Sequence, residues 1–366
     1  MIRAFCALTL CALMAFPATS HAEDNSDITL TPYTRLRLGF DMVQADPNVA
    51  FVGRNDGFRV DQARLGFKGQ FKDRISWVLI ADAITPEVAD ANDPLSGVTA
   101  AMRDAYLHWH ATDFFNIWLG QLFMPADYEG MISRREMNFV NRSVASIGVL
   151  PGRGYEVAGL SAGRQQGMVL GAQDLVAGMI HLDYRIALAN GNGPNQLGND
   201  NEQPAFYSRL GAGIDEWVQL SFGFQYNPRT VGELPNLYTE NDLVALGDLH
   251  VDVWGIDMLV QGIWRQTSFD TSAADSDTAL GLTSWLVLDE PFGVHLYNFK
   301  PGIRLSYLDP SSFLADDQLQ ELTASLRYDA PIDLPLAFMV DYTWLVEESA
   351  RSLANDRLVA MFQIEY

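Results

Sequence analysis

Beyond its first two dozen residues the chain repeats one device. Apolar and polar side chains alternate with a period of two over about ten residues, and Gly, Pro, Asn or Asp then breaks the run. Near 34–42, Leu36, Leu38, Phe40 and Met42 share one face, while Arg35, Arg37, Gly39 and Asp41 share the other. In 62–71, Ala63, Leu65, Phe67 and Phe71 oppose Gln62, Arg64, Lys68 and Gln70. In 217–227, Val218, Leu220, Phe222, Phe224 and Tyr226 oppose Gln219, Ser221, Gly223, Gln225 and Asn227. Near 176–188, Ile180, Leu182, Tyr184 and Ile186 oppose His181, Asp183 and Arg185. The same rhythm runs through Leu322 to Tyr328, Leu336 to Trp344 and Leu358 to Tyr366. Such runs predict strands with one apolar and one polar face.

A soluble sandwich also alternates, so the content of each face decides. The polar face carries Gly, Ser, Gln, Arg and Asp, as a hydrated interior would. The apolar face ends in aromatics such as Tyr328, Tyr342 and Trp344, which suits the girdles of a membrane barrel. In lipid every backbone group must find a partner within the protein, and a closed barrel is the all-β solution. The expected fold is therefore all-β, a transmembrane antiparallel β-barrel. About 344 mature residues at roughly 20–22 per strand and loop give about 16 strands, a size that leaves an aqueous channel. Segment 249–265 reads as one long run without a turn, and 277–300 alternates poorly around Asp289-Glu290-Pro291.

The N-terminus departs from this pattern. Arg3, an apolar run from Ala4 to Phe16, Pro17 and the small-residue site Ser20-His21-Ala22 form the three regions of a secretory leader. Cleavage is expected after Ala22, giving a signal peptide at 1–22 and a barrel domain at 23–366. Cys6 and Cys11, the only cysteines, lie in the leader, so the mature chain would be cysteine-free. Bacterial outer membrane is the expected location, with its lipid and lipopolysaccharide as neighbours.

Charge narrows the partners. The chain has 24 Lys+Arg against 46 Asp+Glu, a formal net charge of -22, and a nucleic-acid binder would need the opposite sign. Removing Arg3 and no acid leaves 23 cations against 46 acids, a mature charge of -23. Most acids are expected in loops: Asp46 to Asp56, Glu87 to Asp93, Glu233 to Asp248, Asp270 to Asp277 and Asp316 to Glu321. Asp270, Asp275 and Asp277 are oxygen donors without the spacing of a calcium loop.

Several stretches resemble one family. Gly57-Phe58-Arg59-Val60-Asp61-Gln62-Ala63-Arg64-Leu65-Gly66-Phe67-Lys68-Gly69 is similar to an early strand of the phosphate-selective porin O/P group. Ala81-Asp82, Asp104-Ala105-Tyr106-Leu107, Leu119 to Pro125 and Asn141-Arg142-Ser143 follow in the same order. Pro301 to Pro310 resembles the family's Arg-containing penultimate region, near the C-terminus. The resemblance implies a trimeric, 16-stranded general or anion-preferring porin passing small solutes. Phosphate specificity is not implied, because the phosphate-specific members use a lysine cluster and this chain has only Lys68, Lys72 and Lys300.

In such a channel the chemistry is the fixed charge at the narrowest point. The long early loop at 125–153 is expected to fold into the lumen. It carries Arg134, Arg135, Arg142 and Arg153 against Asp127, Glu129 and Glu136. Strand parity turns Arg35, Arg37, Arg64, Lys68, Arg185, Arg209, Arg304 and Arg327 inward, together with Asp82, Asp104, Asp183, Asp257 and Asp341. Each such arginine either lines the constriction or braces the wall through a neighbouring carboxylate, and parity leaves both uses open.

Catalytic readings find less support. His108 and His110 share a strand face, but no third ligand is spaced to join them in a metal site. No Gly-x-Ser-x-Gly elbow or His-Glu-x-x-His helix occurs, and Gly191-Asn192-Gly193-Pro194 is loop punctuation. No cofactor is expected. The competing readings are an outer-membrane barrel enzyme of the lipase or protease type and a non-conducting adhesive barrel.

Overall fold

A computed structural model describes residues 27–49, 52–53, 56–84, 99–150, 152–196, 198–233, 235–270, 276–348 and 353–366. The leader, the Glu87 to Asp93 stretch and Asp275 lie outside the described residues. Sixteen strands form one closed antiparallel barrel. They are β1 (Ile28–Val43), β2 (Gly57–Phe71), β3 (Ile75–Ile84), β4 (Thr99–Thr112), β5 (Phe115–Phe123), β6 (Arg164–Ala177), β7 (Ile180–Ala189) and β8 (Ala205–Ile214). The second half comprises β9 (Val218–Glu233), β10 (Asn236–Val253), β11 (Ile256–Phe269), β12 (Asp277–Leu288), β13 (Phe299–Asp309), β14 (Leu319–Asp329), β15 (Leu336–Glu347) and β16 (Arg357–Glu365). Closure comes from β1, which pairs with β2 on one side and with β16 on the other, Arg35 lying opposite Glu365. No sheet edge is left in the ring, as a lipid environment requires.

Burial is inverted relative to a soluble protein. Ser221 on β9 is fully covered, whereas its neighbour Phe222 is 60 % exposed on the outer surface. Phe222, Phe224 and Leu220 meet the bilayer, and Ser221 and Gln225 meet the interior. Outward Tyr342 and Trp344 pack edge to face at 4.5 Å, on the face where the aromatic girdle is expected.

The structure corrects four details of the pattern. Segment 249–265 does contain a turn: Val253 pairs with Ile256 across Trp254-Gly255, both with positive φ. That is the primed geometry of a two-residue hairpin, and a Cβ on Gly255 would lie 2.1 Å from the Asp289 carbonyl. Segment 277–300 resolves into β12, a short 3-10 turn at Pro291–Gly293 and the start of β13. Residues 233–248 are not an acidic loop; they are the β9–β10 hairpin, whose Asp242 and Asp248 are buried inside the barrel. Finally, Pro301 to Pro310 is the fourth strand from the C-terminus, with Arg304 fully inside.

Two of the barrel's register shifts bring charged residues inward. On β2, Arg37 pairs with Gln62 and Leu38 with Val60, so Asp61 is the extra residue. On β4, Ile80 pairs with Asp104 and Ala81 with Met102, so Arg103 is the extra residue. Each bulge turns two consecutive side chains toward the interior, Asp61 with Gln62 and Arg103 with Asp104.

Candidate pore constriction inside the barrel

The connection from β5 to β6, residues 124–163, folds back into the barrel. It carries two single-turn helices, α1 (Tyr128–Met131) and α2 (Val144–Ile147), capped by the side chains of Asp127 and Ser143. Its hub is Glu129, which is fully buried. The Glu129 carboxylate accepts from the Ser143 amide at 2.9 Å, from the Ser143 hydroxyl, from Ser146 Oγ at 2.7 Å and from Arg304 at 3.2 Å.

Polar wall residues then receive the segment's backbone. Asp341 accepts from the Val140 amide at 2.7 Å, Glu321 from Val144 at 3.0 Å and Gln261 from Glu129 at 3.0 Å. Arg327 donates to the carbonyls of Arg135 and Met137, Arg304 to that of Asn141, and Arg37 to that of Val140. Phe139 packs with Leu259, Trp285 and Val287, and Val140 packs with Met339, Val359 and Met361. The middle of the inserted segment thus docks mainly on β11–β16, its ends are held by Arg209 of β8 and by packing of Met124 and Ala162 on β6–β8, and cavities remain along β1–β8.

Between the loop tip and the open wall lies a cavity of about 360 Å³. Arg134 and Arg135 enter it from the loop, Arg35 from β1, Arg64 and Lys68 from β2, Arg103 from β4 and Arg164 from the first residue of β6. With Arg142 the lining holds eight cations, against the carboxylates of Asp104, Glu136 and Glu365. Asp82 and Asp61 stand behind, Asp82 at 2.9 Å from Arg64 and 3.5 Å from Arg103, and Asp61 at 3.6 Å from Arg134. Including both still leaves eight cations against five acids. Arg35 meets Glu365 at 2.5 Å, and Arg164 grips Asp104 with both nitrogens at 2.7 and 3.1 Å. Several donors remain unused: Arg64 Nη2, Arg103 Nε and Arg134 Nε are buried without a protein partner. Two further cavities, of about 330 and 310 Å³, share lining residues with this one and adjoin it along the same side.

The residues expected to shape the constriction therefore divide. Arg35, Arg64, Lys68, Arg134 and Arg135 come together around the cavity. Arg142 touches it but donates to three carbonyls of its own loop, those of Glu129, Gly130 and Ile132, at 2.8–3.0 Å. Burial pushes its guanidinium down to about 10, which leaves it charged at neutral pH. Arg304 is enclosed by Glu321, Glu129 and the Phe139 ring, and belongs to the seam between loop and wall. Arg37, also fully buried, sits 3.5 Å from Asp61. Arg153 joins Arg59 and Arg357 around Asp41, at the barrel end reached by the longer loops. Arg185 lies along the neighbouring cavity, over the Trp118 ring at 5.8 Å.

Two cavity arginines escaped the sequence reading. Strict alternation from Asp104 would put Arg103 on the lipid face, and only the bulge brings it inside. Arg164 lies beyond 153, where the expected loop ended, although the inserted segment runs on to 163. His108 and His110 do share an inward face, where both contact Asn116 Oδ1. Among the described residues no cluster of three His, Cys, Asp or Glu side chains is placed to hold a metal.

The family of phosphate-selective porins O and P matches residues 33–230, which include β2 to β8, the inserted segment and most of β1 and β9. The chain belongs to that family. This porin is also similar in fold to solved structures at low identity. An anion-selective porin from Comamonas acidovorans superposes with a TM-score of 0.63 at 11 % identity, covering 93 % of this chain and 99 % of that one. OmpT of Vibrio cholerae, in its trimer form, gives 0.62 at 10 % identity with the same coverage, 93 % and 99 %. The outer-membrane channel DcaP of Acinetobacter baumannii gives 0.57 at 11 %, covering 94 % of this chain and 99 % of that one. No curated protein matches the sequence. Family and fold make the chain an outer-membrane porin, a channel rather than an enzyme.

Proposed function

We propose that this porin is a passive diffusion channel that prefers small anions, with its selectivity set by the cavity between the loop tip and β1–β6. The observation that carries the reading is the eight-to-three excess of cations in that lining, with arginine donors left over after every ion pair is counted. Fixed charges of one sign in a narrow, low-dielectric passage concentrate counterions and repel co-ions. The net charge of -22 does not oppose this. Many carboxylates are spent inside the barrel on arginines or on the inserted loop, as Glu129, Glu321 and Asp341 are.

Phosphate specificity is not part of the proposal. Of the three lysines, Lys72 pairs with Asp27 and Lys300 with Asp289, which leaves only Lys68 at the cavity. A homotrimer is the proposed assembly, in keeping with the trimer form of the Vibrio cholerae relative in fold. Export through the 1–22 leader, cleavage after Ala22 and contact with lipopolysaccharide complete the reading. Single-channel conductance in exchanged salts tests the preference. Replacing chloride with a bulky, slow anion should lower conductance more than replacing potassium with lithium; the reverse ranking overturns it.

A further inference from the structure

Next to the basic constriction, the open wall has a feature that a purely ionic channel does not need. The cavity of about 330 Å³ between β2 and β7 is lined by aromatic and aliphatic side chains at inward positions, where a hydrated interior favours polar ones. Tyr106 from β4, Trp118 from β5 and Phe123 at the end of β5 form its walls, and Leu122 and Val169 belong to the buried cluster behind them. The two ends of the inserted segment, Met124 and Ala162, pack in that cluster, but neither lines the cavity.

The cations beside these rings differ in how far they are used. Arg164 is committed to Asp104. Lys68 and Arg185 have no ion pair among the described residues; each stands over a ring, Lys68 at 4.5 Å from Tyr33 and Arg185 at 5.8 Å from Trp118. The rings differ too. Trp118 is stacked by His108 at 4.5 Å, and Phe123 has the guanidinium groups of Arg142 and Arg164 within 6 Å. Tyr106 has no stacked ring and no cation over its face among the described residues, although Arg164 and Arg185 are near enough to act on it.

We infer that this cavity is a binding site for aromatic carboxylates, the ring packing against Tyr106 and the carboxylate meeting Lys68 or Arg185. Inorganic anions gain only from the cations; an aromatic anion gains from both halves of the lining. Desolvated rings stack favourably, and an amphipathic pocket of this size holds a single six-membered ring with room for water. The inference rests on the anion preference proposed above and names the solute class for the same pathway.

Current block in planar bilayers tests it. Benzoate, acetate and phosphate are titrated separately into channels carrying potassium chloride current, and the zero-current potential in a chloride gradient is measured on the same channels. Benzoate should block saturably at concentrations where acetate and phosphate do not. Tyr106→Leu should raise the half-blocking benzoate concentration about tenfold, as loss of an aromatic contact does, while Tyr106→Phe keeps it near the parent value. Arg185→Gln should weaken the block by benzoate and leave phosphate without one. If benzoate acts like acetate in channels that are anion-selective, this inference falls and the anion reading stands. If the channels prefer cations, both fall. An unchanged half-blocking concentration in Tyr106→Leu also overturns it.

Discussion

An arginine inside a barrel is spent or available, and the difference lies in its partners. Arg304 is fully used: Glu321 and Glu129 hold its nitrogens, Asn141 takes another donor, and Phe139 covers its plane at 4.7 Å. Arg142 is used differently, gathering three carbonyls of the loop tip that carries Arg134 and Arg135. Its place in the account is therefore positional. Arg134→Gln and Arg135→Gln should each shift the anion-to-cation permeability ratio about two- to fivefold toward cations, as loss of one partly screened charge would. Arg142→Ala should instead raise open-channel noise, because the tip loses its clamp while its charges remain. Single-channel recordings of the three variants separate these effects; a quiet Arg142→Ala channel would contradict the clamp.

At the scale of elements, one segment decides where the pore runs. Residues 124–163 are fixed by a buried carboxylate, two caps and wall side chains that accept from its backbone. Breaking a buried ion pair by removing one partner costs about 3–5 kcal/mol. Glu129→Gln should therefore free the segment within an intact barrel and make it a substrate for limited proteolysis. Equal cleavage rates in variant and parent would show that Glu129 is not the lock. The strands make a separate prediction. Phe222→Arg on the lipid face should destabilise the barrel by about 2–4 kcal/mol, read as a lower urea midpoint for the barrel folded in vesicles. Gln219→Lys on the inner face, beside Asp183, should cost less than 1 kcal/mol (roughly) by the same measurement.

The strands were readable from the chain because lipid and lumen impose a strict period of two, and Leu220 to Tyr226 obeys it. What parity could not supply was the exceptions. Arg103 and Asp61 owe their inward position to bulges, which are set by the partner strand and leave no local signature. The Trp254-Gly255 turn was hidden because Trp is an unusual residue at positive φ, and the surrounding hydrogen bonds hold it there. The loop's entry into the lumen was foreseeable from its length and its arginines. Which of those arginines would line the cavity depended on contacts such as Arg327 with the Met137 carbonyl, between residues 190 positions apart.

Over the whole molecule, charge is sorted by side of the lumen. Carboxylates of β11–β16 such as Glu321 and Asp341 receive the inserted loop, and Arg35, Arg64, Arg103 and Arg164 of β1–β6 face the open passage. A strongly acidic chain thereby presents a basic lining, and on the proposed reading net charge alone misstates the permeant ion. The zero-current potential across a bilayer, with a tenfold gradient of potassium chloride, tests this most directly. The account predicts the sign set by chloride, moving toward zero when Arg64, Arg134 and Arg135 are all replaced by Gln. A parent channel with the sign set by potassium would contradict it.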